Sequence, residues 1–312
     1  KFKEVSHSGD YFENRTAGVL LHPTSLPGPY GIGTIGPEAF RFVDWLADAG
    51  FTWWQVLPLV PPESGGSPYS SWSTFAANVL LVELAGLYEQ GLLDAPPPRS
   101  DNTGQVDFAA VNAEKWPLLD HAASVLLKKP DHPWYVKMQA FRESSDWIED
   151  AGLYFALRNK FDGKAWWDWP TDLRQYKPKA IKKARVELAE DIDKFVAMQY
   201  FFERQWSALR QYCKHKGVRI MGDIPIYVGH DSADVWANQG LFLLDKEGQC
   251  LELAGAPPDA YSDTGQLWGN PVYRWSRHKA GKYRWWRKRI SRHLEQVDFL
   301  RLDHFRAFEA FW

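Results

Sequence analysis

The sequence predicts an α/β chain built on a parallel sheet of barrel type, of which about four strands are present, interrupted by one large helical insertion. Three observations predict it. Strand-like and helix-like segments alternate. Each of the four strand-like segments runs out into a loop rich in Gly, Pro or Asp. Polar groups therefore gather at strand C-termini, the pattern of a parallel barrel's catalytic face.

Ala17-Gly18-Val19-Leu20-Leu21-His22 reads as the first strand, followed by a Gly/Pro loop from Pro23 to Gly36. Pro37 suits the first turn of a helix, Phe40, Val43 and Leu46 form one stripe, and Gly50 ends it. Phe51 to Leu59 reads as the second strand, completing a βαβ unit over 17–59, and a second Gly/Pro loop runs from Pro61 to Tyr69. From about Leu87 to Gly217 the texture is helical, charged and Trp-rich, so 87–217 is expected to be an inserted subdomain between 1–86 and 218–312. Its last helix places Phe195, Phe202, Trp206, Leu209 and Cys213 near one face. Val218 to Met221 returns to strand and ends at Gly222-Asp223-Ile224-Pro225. A long loop from Asp231 to Asn270 follows, then a basic amphipathic helix from Lys282 to Gln296.

The fourth strand, Val297-Asp298-Phe299-Leu300-Arg301-Leu302-Asp303-His304-Phe305-Arg306, holds the most pointed chemistry. Side chains alternate along a strand, so Arg301 and Asp303 are expected on one face with Phe299 and Phe305, and Leu300 and Leu302 on the other. A guanidinium beside a carboxylate favours its charged form and aims it. A charged, oriented Asp at the end of a buried strand is suited to nucleophilic sugar transfer. Asp223, at another strand end, suits charge-assisted hydrogen bonds to hydroxyls or the capping of a turn. The loop Gly65-Gly66-Ser67-Pro68-Tyr69-Ser70-Ser71-Trp72-Ser73 offers a stacking face and a hydroxyl. Residues Pro257 to Pro271, with Tyr261, Trp268 and Asn270, read as a long loop mixing aromatics with amides. Gly31-Ile32-Gly33-Thr34-Ile35-Gly36 matches G-x-G-x-x-G, but Pro23 to Tyr30 separate it from the strand and Leu57-Pro58-Leu59 lacks the ribose-binding acid. The glycines are instead expected to shape a loop that approaches a ligand closely.

Composition narrows the partners. A net charge of −2 argues against nucleic acid, and no apolar run is long enough for a bilayer. The basic stretch Lys279 to His293 reads as a solvated helix face. Nine histidines lack paired metal spacing, so no metal site is expected. Cys213 and Cys250 alone suggest a reducing compartment, and Lys1-Phe2-Lys3-Glu4-Val5 does not read as a signal peptide. With 17 Trp, 13 Tyr and 18 Phe, the aromatic content is unusual: ordinary packing explains most of these side chains, and flat rings also suit the apolar faces of sugar rings. Trp53-Trp54 and Trp285-Trp286 are expected in the core.

Arg15-x-Ala17-Gly18-Val19-Leu20-Leu21-His22-Pro23-Thr24-Ser25-Leu26-Pro27-Gly28-Pro29-Tyr30-Gly31-Ile32-Gly33 closely resembles the opening of the 4-α-glucanotransferases, the amylomaltase or disproportionating-enzyme family, glycoside hydrolase family 77. Trp54-Gln55-Val56-Leu57-Pro58-Leu59, Ser67-Pro68-Tyr69, Gly222-Asp223-Ile224-Pro225, Gly265-Gln266-Leu267-Trp268-Gly269-Asn270-Pro271 and Arg301-Leu302-Asp303-His304-Phe305-Arg306 resemble its further motifs, in its order. The resemblance covers nearly the whole chain and is weakest in the helical insert.

The resemblance implies an α-retaining (β/α)8 TIM barrel enzyme that passes a glucan segment from an α-1,4-linked donor to an acceptor glucan or glucose. Maltooligosaccharides, starch or glycogen-derived glucans would be its substrates, with no organic cofactor. Asp303 would be the nucleophile and Arg301 its electrostatic partner. Asp223 and His304 would bind the sugar at the cleavage point, while Tyr69 and Trp268 line subsites; Ser67, Asn270 and Tyr261 are further candidates. Ala260-Tyr261 stands where many bacterial members have an aromatic pair and plant-type members look similar, which fits plastid stroma as well as cytoplasm. The family's acid/base Glu and second catalytic Asp lie beyond the fourth strand, so residues 1–312 are expected to be part of a longer polypeptide or one of two assembling pieces. An amylase-like hydrolase and a non-catalytic glucan-binding fragment are the alternative readings.

Overall fold

The computed structural model describes residues 15–63, 65–99, 104–260 and 262–310. In chain order the elements are β1 (Gly18–Leu20), α1 (Pro37–Asp48), β2 (Trp53–Gln55), α2 (Leu84–Glu89), α3 (Phe108–Leu127), α4 (Pro133–Ser144), α5 (Ile148–Lys160), α6 (Thr171–Arg174), α7 (Pro178–Glu187) and α8 (Ala189–His215). There follow β3 (Arg219–Ile224), α9 (Ala233–Ala237), β4 (Leu253–Ala256), β5 (Gln266–Pro271), α10 (Trp275–Ala280), α11 (Arg284–Gln296) and β6 (Phe299–Leu302).

Four strands form one parallel sheet in the order β1-β2-β3-β6. Its register separates two faces. Val19, Trp54 and Ile220 lie side by side on one face, with Leu300 and Leu302 farther along. This face packs on helices: α8 lies against β3 and α11 against β6. Trp54 is fully buried there, its indole donating to Leu21 O at 2.7 Å. The other face aligns Leu20, Gln55, Met221 and Phe299, then Asp223 and Arg301. No helix among the described residues covers it, and Leu20 is 54% exposed and Phe299 40%. The fourth strand is thus half-open on the side that carries Arg301, where the sequence suggested a buried strand.

Local signals explain the elements that build this sheet. Pro37 opens α1, and the buried stripe is Ala39, Val43 and Leu46, with Phe40 shifted to the flank against Tyr212. Gly50, at φ +79°, ends the helix, and Phe51 N donates back to Leu46 O at 2.9 Å, so the chain turns directly into β2. Residues 87–217 hold the long helices, of which the 27-residue α8 buries Phe195, Phe202, Trp206, Leu209 and Cys213. One hydrophobic cluster joins these side chains to Trp54, Ile220, Trp285 and Trp286. A second tie is polar: Lys115 of α3 is buried and donates to the carbonyls of Leu80 and Val82 at 2.7 and 2.8 Å. Burial pushes its ammonium down to about 7.

Three further expectations change. The second strand is limited to Trp53–Gln55 rather than Phe51 to Leu59, because Pro58, Pro61 and Pro62 offer no N–H to a ladder. The supposed loop from Asp231 to Asn270 contains α9 and the antiparallel pair β4–β5, so Gln266–Pro271 is strand. Finally, β6 stops at Leu302. His304 is left-handed at φ +49° and Phe305 begins a short 3-10 turn, so Phe305 does not continue the strand face of Arg301. Two glycines of the 23–36 loop are needed for its own fold: a Cβ on Gly33 would lie 2.0 Å from Pro23 O, and one on Gly28 1.9 Å from Ile32 O.

Candidate active site

The C-terminal ends of β3 and β6 are neighbours, with Asp223 paired to Arg301 across the sheet. Side chains that share a register position on adjacent parallel strands point to the same face, so these two meet. Arg301 Nη1 donates to Asp223 Oδ2 at 2.6 Å, and Nη2 to Asp303 Oδ1 at 2.5 Å. The guanidinium therefore bridges two carboxylates rather than serving Asp303 alone. Asp303 is tied to the sheet by its own amide, which donates to Ile224 O at 2.9 Å.

The loop after β2 supplies the third partner. Glu63 N donates to Ser70 O and Trp72 N to Pro61 O, closing the loop and turning Tyr69 inward. Tyr69 Oη donates to Asp223 Oδ2 at 2.6 Å. Burial and this bond to a carboxylate push the Tyr69 phenol well above its ordinary range, so it stays a donor. Asp223 is buried, and burial raises its pKa against the opposing pull of Tyr69 and Arg301. Burial opposes the charge on Arg301, but Asp223 and Asp303 outweigh it and hold the guanidinium above its ordinary value.

In front of this floor lies a cleft of about 340 Å³. Ser67, Tyr69, Trp268, Asn270, Asp303 and His304, all singled out from sequence, line it. Trp268 meets the edge of His304 with ring centres 4.9 Å apart and planes at 84°. Asn270 Nδ2 donates to Val228 O at 2.8 Å, binding β5 to the segment that leaves β3. Asp223 and Arg301 are not among the lining residues and are joined to them through Tyr69 and Asp303. Asp303 is the carboxylate on the cleft surface among the described residues. Tyr261 lies outside the described residues.

Sequence reading missed Tyr227 and Gln266, which also line the cleft. Gln266, Trp268 and Asn270 alternate along β5, so reading 266–271 as strand would have placed all three on one face. Tyr227 stacks on Tyr273 with ring centres 5.8 Å apart, a pairing that only the tertiary fold reveals.

The family model for 4-alpha-glucanotransferase matches residues 21–312. The chain belongs to that family. The chloroplastic/amyloplastic 4-alpha-glucanotransferase of Solanum tuberosum is 44% identical over 310 residues, a match covering 96% of this chain and 53% of that protein. The Thermus thermophilus 4-alpha-glucanotransferase is 44% identical over 299 residues, covering 96% of this chain and 60% of its own length. Among solved structures, the amylomaltase from Streptococcus agalactiae in complex with acarbose superposes with a TM-score of 0.90 at 38% identity. That match covers 96% of this chain and 61% of the amylomaltase. The chain thus spans between about half and three-fifths of the length of these family members. The mixed α/β architecture with its parallel sheet is that of amylomaltase. No helix among the described residues is long and apolar enough to cross a membrane.

Proposed function

We propose that this chain provides the nucleophile and part of the glucan cleft of an α-retaining 4-α-glucanotransferase. Its sheet would be the first half of a (β/α)8 barrel. The observation that carries the reading is Asp303: a carboxylate at a strand C-terminus, on the surface of an aromatic-lined cleft, gripped by a guanidinium at 2.5 Å. The half-barrel reading is supported by a parallel sheet with helices on one face and none, among the described residues, on the other. In this reading 1–86 and 218–312 supply the strand ends and 87–217 buttresses them.

Asp303 attacks the anomeric carbon of an α-1,4-linked donor as the bond to the leaving glucan breaks, giving a covalent glucosyl ester. The 4-hydroxyl of an acceptor glucan or glucose then displaces Asp303, so two inversions retain the α configuration. Arg301 holds one oxygen of Asp303 and leaves the other to attack. Asp223 orients Tyr69 and Arg301 through Oδ2, and its Oδ1, without a partner among the described residues, would serve the sugar at the cleavage point together with His304. Trp268, Tyr69 and His304 offer ring faces and polar tips to the sugar, with Ser67 and Asn270 at its hydroxyls. A retaining reaction needs a second carboxyl group about 5–5.5 Å from the nucleophile, which protonates the leaving glucan oxygen and then takes the proton of the acceptor 4-hydroxyl. The proposal assigns that group to the length of the relatives this chain does not span. Maltooligosaccharides and starch- or glycogen-derived glucans are the substrates, met in cytoplasm or plastid stroma.

The native-length protein incubated with maltotriose is expected to yield glucose together with longer maltooligosaccharides, maltopentaose first, at constant total reducing ends. Chromatography showing only maltose and glucose, with rising reducing ends, contradicts transfer and means hydrolysis.

A further inference from the structure

Arg289 is 0% exposed, on a helix, α11, whose Arg284, Arg287 and Lys288 face solvent while Arg292 and His293 are buried beside it. Its donors are aimed at defined acceptors. Nε donates to Thr74 Oγ1 at 2.8 Å and Nη2 to Pro225 O at 2.7 Å. Nη1 donates to Ile226 O at 3.1 Å and to Tyr273 Oη at 3.3 Å. Tyr273 Oη in turn donates to Ile226 O at 2.7 Å. Two successive carbonyls of the segment leaving β3 are therefore held by one buried guanidinium and the tyrosine beside it. That segment begins two residues after Asp223 and forms a wall of the cleft through Pro225, Ile226 and Tyr227.

The contacts continue outward from this anchor in two directions. Tyr273 stacks on Tyr227 with planes at 15°, Tyr227 leans on Trp268, and Trp268 meets His304. On the other side the guanidinium lies over the Trp286 ring at 4.9 Å, and Trp286 packs on Phe308 in the turn that follows Asp303. The carboxylate nearest in this network is Asp234, joined through Thr74, whose amide donates to Asp234 Oδ2 at 2.7 Å. A charge is buried here at a considerable desolvation cost, and packing alone would be served better by an apolar residue. What a guanidinium adds is a planar fork that fixes several acceptors at once.

We propose that Arg289 is a positioning residue for glucan transfer, locking the 225–227 wall and, through Tyr273 and Trp286, the side chains that frame Asp303. This inference rests on the functional reading above. Without the fork, Tyr227 and Trp268 lose their fixed backing and the sugar sits loosely before the nucleophile. A misplacement of the reacting atoms by about 1 Å lowers rate on the order of 10²-fold.

The test uses the native-length protein and three variants: Arg289→Met, Arg289→Lys and Tyr273→Phe. Readouts are kcat and KM for maltotriose, the Kd for acarbose by calorimetry, and the melting temperature. Arg289→Met is expected to raise KM and the acarbose Kd by about tenfold and to lower kcat by a similar factor, on the scale of lost positioning. Arg289→Lys restores part of this, and Tyr273→Phe, which deletes one hydroxyl, moves KM and Kd in the same direction by a smaller factor. If Arg289→Met does not fold, the other two variants carry the test. Variants that melt earlier but keep wild-type KM, kcat and Kd well below their melting temperature overturn the inference, since Arg289 then serves the fold alone. A wild type that neither turns over maltotriose nor binds acarbose overturns the functional reading, and this inference with it.

Discussion

Asp303→Asn in the native-length protein is expected to lower maltotriose transfer by about 10⁴-fold or more while leaving the fold and acarbose binding close to wild type. The amide keeps the shape of the carboxylate, so the backbone bond from Asp303 N to Ile224 O and the cleft geometry have no reason to change. It cannot form the glucosyl ester, because the amide oxygen lacks the negative charge that makes the carboxylate a nucleophile. The contact with Arg301 weakens from a charge-assisted bond to an ordinary one, a small effect at a side chain that is 37% exposed. Transfer rates measured by product chromatography, alongside acarbose calorimetry, check this. Turnover within tenfold of wild type would remove Asp303 from the chemistry.

Arg301→Met has the second-largest expected effect, a loss of about 10²–10³-fold in kcat, the scale seen when one preorganised charge donor is deleted from an active site. Two carboxylates share this guanidinium, at 2.6 and 2.5 Å. Its removal leaves Asp223 buried with only Tyr69 as a partner among the described contacts, and leaves Asp303 free to turn. The direction of the pH effect follows from the signs. Burial already raises the Asp223 pKa, while Tyr69 and Arg301 pull it down, so deleting Arg301 raises it further. The charged form then prevails only at higher pH, and the acid limb of the kcat profile moves upward. Arg301→Lys restores the charge but not the two-pronged geometry, so it recovers the position of the acid limb better than it recovers kcat. A rate loss in Arg301→Met with an unmoved acid limb would contradict the electrostatic part of this account.

Much of this arrangement is legible in the sequence because it is local. The alternation of Arg301 and Asp303 along a strand, and the position of Asp223 at a strand end, require only the two-residue period of a β-strand. The opening of α1 at Pro37 and its end at Gly50 follow from backbone chemistry at single residues. What could not be read depends on contacts between distant segments. That Arg301 serves Asp223 as well as Asp303 is a consequence of the β3–β6 register, across 78 residues. The β4–β5 pair reads as loop because Pro257, Pro258, Gly265 and Gly269 dominate its local signals, whereas its pairing is supplied by contacts across the turn. In the glycine-rich loop the atoms that crowd Gly28 and Gly33 are the loop's own carbonyls, which only the folded backbone identifies. Arg289 was hidden in a run of basic residues, and only burial separates it from its exposed neighbours.

The central claim is that Asp303 forms the bond to the transferred glucosyl unit. The most direct measurement is peptide mass spectrometry of the native-length protein quenched during reaction with an activated maltosyl fluoride whose terminal 4-hydroxyl has been removed, so that the donor cannot also serve as acceptor. The account predicts a glycosyl mass increment on the peptide containing Asp303, absent in Asp303→Asn. An increment on the peptide containing Asp223, or the same increment in Asp303→Asn, would contradict it.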